Sequence, residues 1–192
     1  MNPVNDTDKV IARAAAAAFG GQPAVTRFWD DDRRSFIDLL SVKDAPQKGV
    51  STFSTIGLSA YAMGSESRPD LGVEIVAACG SNFKSFDNAL ATAAFCVINS
   101  GWLCKPGVIF PDILEMYAAS GPMKHMAFFP PFLWEGELKT LQLPGRTVAW
   151  LLAVPISDYE RQFAEHEGVS ALETLFEEKQ IDIFNLARPS VV

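Results

Sequence analysis

The chain has 192 residues, of which 48% are hydrophobic and 20% are charged, and its formal net charge is −7. This composition excludes a disordered chain, and the length suits one domain, which we expect to span residues 1–192. Phosphate backbones repel an acidic domain, so we expect no nucleic-acid partner, whereas a basic protein would be attracted. The charge also serves solubility by itself.

The cysteines indicate a reducing compartment. Cys79, Cys96 and Cys104 are odd in number and form no Cys-x-x-Cys pair, so a disulfide framework is not expected. The first residues lack the basic and apolar regions of a signal peptide. The apolar stretch at 14–19 is too short to span a bilayer. These features predict a cytoplasmic protein with no membrane contact.

The first third of the chain predicts one helix followed by two strands. Asn5 or Asp6 can cap a helix that runs through the alanines and stops at Gly20-Gly21. Residues 35–42 partly alternate between apolar and polar, and residues 50–56 alternate strictly. Alternation of this kind is typical of β-strands, so two strands are expected here.

The middle of the chain predicts a loop, a buried strand and a helix. Residues 63–70 are polar and are expected to form the loop. Residues 71–79 form an apolar run that carries one charge, Glu74, and predicts a buried strand. Apolar residues at helical spacing predict an amphipathic helix over 85–99, which Gly101 ends.

The last third predicts two strands and then two helices. Residues 123–129 and 147–154 are the strands, and the second is nearly all apolar, as expected for a central strand that Pro155 closes. Two short helices, each opened by a serine–glutamate capping box, follow at 158–167 (Ser157 with Glu160) and 171–179 (Ser170 with Glu173). The order of elements predicts an α+β fold, a mixed β-sheet flanked by helices.

Groups able to carry catalysis are few. Nucleophilic catalysis needs a serine or cysteine beside a base, yet no Gly-x-Ser-x-Gly motif occurs and only His125 and His166 supply imidazole. Zinc-site spacing and a glycine-rich phosphate loop are also missing. We therefore expect a protein that is not an enzyme and has no catalytic residue, metal or cofactor. A small hydrolase or transferase that uses Cys104 and a histidine is the alternative.

Two acidic features allow either a structural or a binding interpretation. A charge such as Glu74 within an apolar strand is costly unless it faces outward, pairs with an arginine or faces a ligand cleft. The run Asp30-Asp31-Asp32 is followed by Arg33-Arg34 and is expected to be a solvated turn between two strands. Trp29, beside this run, is either a rim aromatic of a binding surface or a core residue.

The segment Phe53-Ser-Thr-Ile-Gly-Leu-Ser59 resembles the signature of the suppressor-of-fused domain. In that family a strand ends in a Gly-Leu/Met-Ser turn, which a variable polar loop and a strand carrying a glutamate follow. Here Gly57-Leu58-Ser59 matches the turn, 63–70 the loop and Gly72-Val-Glu74 the glutamate strand. The later elements follow the same order, so the resemblance spans residues 5–186. The chain departs from the family at Ala60, where relatives carry an acidic residue.

The resemblance implies a suppressor-of-fused-like fold and a protein-binding role. The animal member of the family sequesters a transcription factor by gripping an extended peptide, and bacterial members are similar to immunity proteins or antitoxins, whose toxins are often basic nucleases. By this resemblance, a sheet edge or cleft near Phe53, Ser59 and Glu74 captures a partner segment, with Trp29 at its rim. A housekeeping interaction domain is the further alternative, and the sequence does not predict an oligomeric state.

Overall fold

The computed structural model describes residues 5–61, 70–117 and 121–192, so most of the predicted loop at 63–70 lies outside the described residues. Within them the chain forms eight strands and four α-helices. The strands are β1 (Pro23–Trp29), β2 (Phe36–Lys43), β3 (Val50–Ile56), β4 (Leu71–Gly80), β5 (Ile109–Phe110), β6 (Met123–Phe129), β7 (Leu141–Leu143) and β8 (Arg146–Ser157). The helices are α1 (Asp6–Phe19), α2 (Phe86–Ser100), α3 (Asp158–Glu167) and α4 (Val169–Lys179).

The strands join in one mixed sheet. Its order is β1-β2-β3-β4-β8-β6-β5, and β7 pairs with the start of β8. β4 and β8 run parallel, with Val73 opposite Ala149, while the other described pairs are antiparallel. A sheet of this kind with four helices confirms the predicted α+β fold.

Apolar side chains cover the sheet on both faces. On one face α2 contributes buried residues such as Phe86 and Leu90, which pack with side chains of β2, β3 and β4. On the other face α1, α3 and α4 contribute Ile11, Ala164 and Leu172. β8 lies between β4 and β6 and is buried along nearly its whole length. This confirms that the apolar run at 147–154 is a central strand.

Side-chain caps explain where α1 and α3 begin. The Asn5 side chain accepts a hydrogen bond from the Thr7 amide at 3.1 Å, and α1 ends at Gly20. Ser157 and Glu160 form the predicted capping box, in which each side chain bonds the other's backbone amide. Free amides at a helix start need such acceptors, so the sequence fixes these two starts locally.

Two predicted boundaries are wrong. β8 does not stop at Pro155 but continues to Ser157. The described pairing of β4 with β8 ends at Leu152, so on that side β8 makes no strand-to-strand hydrogen bonds at Pro155. The missing N–H of the proline is therefore tolerated. The predicted capping box of Ser170 with Glu173 is also absent, because α4 begins at Val169, two residues earlier than predicted, with Gly168 at its N-cap.

Candidate partner-binding surface

The Glu74 carboxylate is fully buried and satisfied by its own chain. The Thr55 hydroxyl donates to Oε2 at 2.6 Å, and the Leu58 amide donates to the same oxygen at 3.2 Å. The amides of Gly57 and Ser59 each donate to Oε1 at 3.0 Å. The carboxylate therefore ties the Gly57-Leu58-Ser59 turn to β4, which is the physical content of the glutamate-strand signature.

Burial and hydrogen bonding oppose each other at this carboxyl. Burial raises the pKa of Glu74, while the hydrogen bonds from Thr55 and from the turn amides favour its ionised form. The sequence left open that Glu74 faces outward or pairs with an arginine. The side chain is buried, and its described hydrogen-bond partners include no arginine. Contact between Glu74 and a partner protein stays a prediction.

Two glycines allow this turn to form. Gly57 has φ +95°, in the left-handed region that glycine adopts without strain. Gly72 has no side chain where the turn crosses β4. A Cβ at Gly72 would lie 2.3 Å from the Ser59 carbonyl oxygen and 2.9 Å from its Cα. The turn and the strand approach so closely that only glycine fits at position 72.

Replacing Gly72 with alanine is expected to lower the free energy of unfolding by about 1 to 3 kcal/mol, because the new methyl group collides with backbone. Gly80→Ala, in the same strand, is the matched control. Its Cβ would lie 2.7 Å from Asn82 Oδ1, which can rotate away, and 3.3 Å from the Phe184 carbonyl oxygen, a much longer backbone contact than the one at Gly72. Urea denaturation of both variants measures the difference, and equal stability of the two would show that the close approach is not rigid.

Phe53 and Ser59 lie in the interior rather than at an edge. Phe53 is 9% exposed, and its ring packs 5.7 Å from that of Phe86. Ser59 is 6% exposed. β3, which carries Phe53, pairs with β2 on one side and with β4 on the other. The predicted sheet edge beside Phe53 is therefore already occupied, and strand addition there would displace a native strand.

The long free edge of the described sheet is β1. Among residues 5–61, 70–117 and 121–192, its seven residues pair only with β2, and Val25 is 55% exposed. The sequence did not single out this strand, because its exposed side chains show no apolar–polar alternation. An unpaired strand edge offers backbone donors and acceptors to a partner segment.

Trp29 ends β1 beside an acidic cleft. Its side chain is 48% exposed and lies 5.2 Å from the ring of Phe36. The cleft has a volume of about 540 Å³ and lies between the β1–β2 turn and α2. Its lining comes from the end of β1 and the turn after it, from α2, and from the segment at 116–117. The lining residues are Phe28, Trp29, Asp30, Asp31, Asp32, Asn88, Ala91, Thr92, Phe95, Asn99, Met116 and Tyr117.

Asp30 builds the turn, while the next two aspartates face solvent. Asp30 accepts from the Arg34 amide at 2.7 Å, the Ser35 hydroxyl at 2.8 Å and the Asn99 amide group at 3.2 Å. Burial alone would raise the pKa of Asp30, but these hydrogen bonds outweigh it and lower the pKa. The predicted turn between two strands is confirmed, and Asp31 and Asp32 remain exposed at its tip.

The geometry does not support the enzymatic alternative. Cys104 is 1% exposed, and burial raises the pKa of its thiol to about 12, so the reactive thiolate is disfavoured. His125 is fully buried: its Nδ1 accepts from the Asp112 amide at 2.9 Å and its Nε2 donates to Asp158 at 3.0 Å. The described hydrogen bonds of His125 and His166 do not include Cys104.

Residues 5–61, 70–117 and 121–192 contain neither a candidate metal site nor a membrane-spanning helix. No group of three or more histidine, cysteine, aspartate or glutamate side chains in that part could hold a metal ion. None of its helices is both long and apolar enough to cross a bilayer. All three cysteines are free thiols.

Known proteins match this chain over most of its length. Immunity protein YqcF of Bacillus subtilis (strain 168) is 48% identical over 190 residues, which cover 98% of this chain and 99% of that protein. The crystal structure of a suppressor-of-fused homologue from Neisseria gonorrhoeae FA 1090 matches with a TM-score of 0.72 at 16% identity, over 97% of each chain. The Sufu–Fu complex matches with a TM-score of 0.68 at 14% identity, over 96% of this chain and 92% of that chain. A family model described as Suppressor of fused protein (SUFU) matches residues 34–189, and the chain belongs to this suppressor-of-fused family.

Proposed function

We propose that this protein is a cytoplasmic, non-enzymatic immunity protein that neutralises a toxin by binding it directly. The observation that carries the proposal is the 48% identity, over nearly the full length of both chains, to a protein named as an immunity protein. At this identity and coverage two proteins share a fold throughout, so a shared mode of action is the simplest inference. The buried Cys104 and His125 are consistent with a role without catalysis.

The proposed contact surface combines the β1 edge with the acidic cleft next to it. A partner segment that adds to β1 would gain main-chain hydrogen bonds, and Trp29 would supply an aromatic anchor beside it. Asp31 and Asp32 would favour a cationic segment. Trp29 has the exposure that direct contact requires, whereas Phe53 and Glu74 would act by holding the strand and turn behind the surface.

Charge favours a basic toxin. The chain carries 23 acidic and 16 basic side chains. A nuclease must be basic where it holds its substrate, and an acidic inhibitor uses the same field to speed encounter. We therefore propose a basic nuclease as the toxin class.

The test is recovery of a partner from the native cells. The tagged protein is expressed there, captured at low and moderate salt, and its co-purifying proteins are identified by mass spectrometry. One stoichiometric basic protein, whose capture weakens with salt and whose toxicity the immunity protein suppresses, supports the proposal. Absence of a stoichiometric partner at either salt concentration contradicts it and favours a housekeeping interaction domain.

Trp29→Ala is expected to weaken toxin binding by about 30-fold, the effect of removing an aromatic hot spot worth about 2 kcal/mol. Calorimetric titration with the recovered toxin measures the loss. Trp102→Ala is the matched control, because Trp102 is also partly exposed, at 37%, and lies outside the acidic cleft. Equal losses in the two variants would place the interface elsewhere, and thermal melts check that both remain folded.

A further inference from the structure

A second cleft lies on the opposite face of the sheet from the acidic cleft. It opens between the end of β6, the 3-10 turn at Phe132–Trp134, α4 and the segment that follows α4. Its volume is about 380 Å³. Its lining is mostly apolar, and the residues are Phe129, Phe132, Leu133, Glu173, Phe176, Glu177, Gln180, Ile181, Ile183 and Phe184.

The base of this cleft is closely packed. Phe176 and Phe129 lie 6.1 Å apart between ring centroids and are both almost fully buried. The Arg188 guanidinium lies 5.2 Å from the Phe176 ring, and the buried Glu160 carboxylate holds it there. A preformed apolar base costs a ligand little ordering entropy.

The mouth of the cleft combines an exposed aromatic ring with acidic groups. Phe132 is 43% exposed, so its ring is accessible to a ligand that enters the cleft. The two charged residues among the described lining are Glu173 and Glu177, both on α4 and both acidic. An occupant therefore meets apolar surface inside and negative charge at the rim.

We infer that this apolar cleft docks a segment of the protein partner in which apolar side chains are flanked by lysine or arginine. The inference rests on the proposed function and adds a second contact to it. The apolar side chains would fill the space against Phe132 and Ile183, and the cations would lie beside Glu173 and Glu177. Because the acidic cleft lies on the α2 side, the partner would contact both faces of the domain.

The cleft can be tested without knowing the toxin. ¹⁵N-labelled protein is titrated with a synthetic amphipathic leucine–lysine peptide, and amide shifts are followed by NMR. Shifts are expected to centre on the lining residues of α4 and of 181–184. A leucine–glutamate peptide of the same pattern is expected to bind at least about fivefold more weakly, since it meets like charge at the rim.

Matched variants separate the cleft from general acidity. Glu177→Lys is expected to weaken binding of the leucine–lysine peptide about fivefold, which is the scale of one exposed charge pair. Glu178→Lys changes the net charge equally on the same helix but does not line the cleft, so its affinity is expected to match the wild type. Phe132→Ser is expected to weaken binding about tenfold, while Tyr159→Ser, which removes another exposed aromatic ring, changes nothing.

Several results would overturn the inference. They are shifts centred outside the cleft, equal binding of the glutamate peptide, and equal losses in Glu177→Lys and Glu178→Lys. Shifts of the same amides with protein concentration alone would also overturn it, because a second copy would then be the occupant. If the wild type captures a toxin and Phe132→Ser captures it equally well, the cleft inference fails alone. If no toxin is captured, the proposed function fails, and the peptide titration still decides the chemistry of the cleft.

Discussion

Glu74→Gln is expected to lower the free energy of unfolding by about 3 kcal/mol, although the substitution barely changes the size of the side chain. Four donors converge on the carboxylate, two on each oxygen. A glutamine places an NH₂ group at one of these positions, so two native donors face another donor inside the protein. Buried polar groups that lose their partners carry the full cost of their desolvation.

Urea denaturation of Glu74→Gln measures this loss, and Glu137→Gln, at an exposed site, is the control expected to match the wild type. Thr55→Val combined with Glu74→Gln should show coupling, because the Thr55 hydroxyl both donates to Glu74 and accepts from the Ile75 amide. A loss below about 1 kcal/mol for Glu74→Gln would contradict the prediction, since the displaced donors would then have found another acceptor, such as water.

Most of the fold follows from local patterns. Strict alternation located β3, an apolar run located β8, and helical spacing located α2 to within one residue at each end. The capping box of Ser157 and Glu160 marked the start of α3 because both partners lie within four residues. Signals of this kind depend on neighbours in the chain, and a sequence displays them directly.

Elements that depend on distant partners could not be found this way. β1 is exposed along its length and has no alternation to reveal it, and β5 and β7 are too short for a pattern. Pro155 looked like a strand end because the sequence does not show that β4 stops pairing before it. The sheet order, with β8 inserted beside β4, also follows only from the three-dimensional packing.

The candidate site was also predictable only where its residues are neighbours in the chain. Trp29 and the aspartates beside it are adjacent in sequence, so their common surface was predictable. The role of Glu74 was not, because its donors lie fifteen to nineteen residues away in the chain. The capping-box motif assigned Glu160 a local role only, yet its carboxylate is fully buried, since Arg188 returns from the C-terminal segment to meet it.

Arg188→Met is expected to lower the free energy of unfolding by about 3 to 5 kcal/mol, because it leaves the Glu160 carboxylate buried without its counter-ion. Arg188 Nη2 donates to Glu160 at 2.9 Å and to the Pro155 carbonyl at 3.1 Å. Glu160 also accepts from the amides of Ser157 at 2.9 Å and Val191 at 3.1 Å. One carboxylate thus joins the end of β8, the start of α3 and the C-terminal segment.

The double variant Glu160→Gln with Arg188→Met is expected to be more stable than the sum of the single losses predicts, since the second change removes the stranded charge. Arg34→Met, at an exposed site, is the control. Additive losses would show that the two side chains do not act as a pair. Arg188 also lies against Phe176 at the base of the apolar cleft. Arg188→Met is therefore expected to weaken binding of the leucine–lysine peptide under conditions where the variant protein remains folded. The ion pair would then link the stability of the C-terminal segment to the shape of the docking surface.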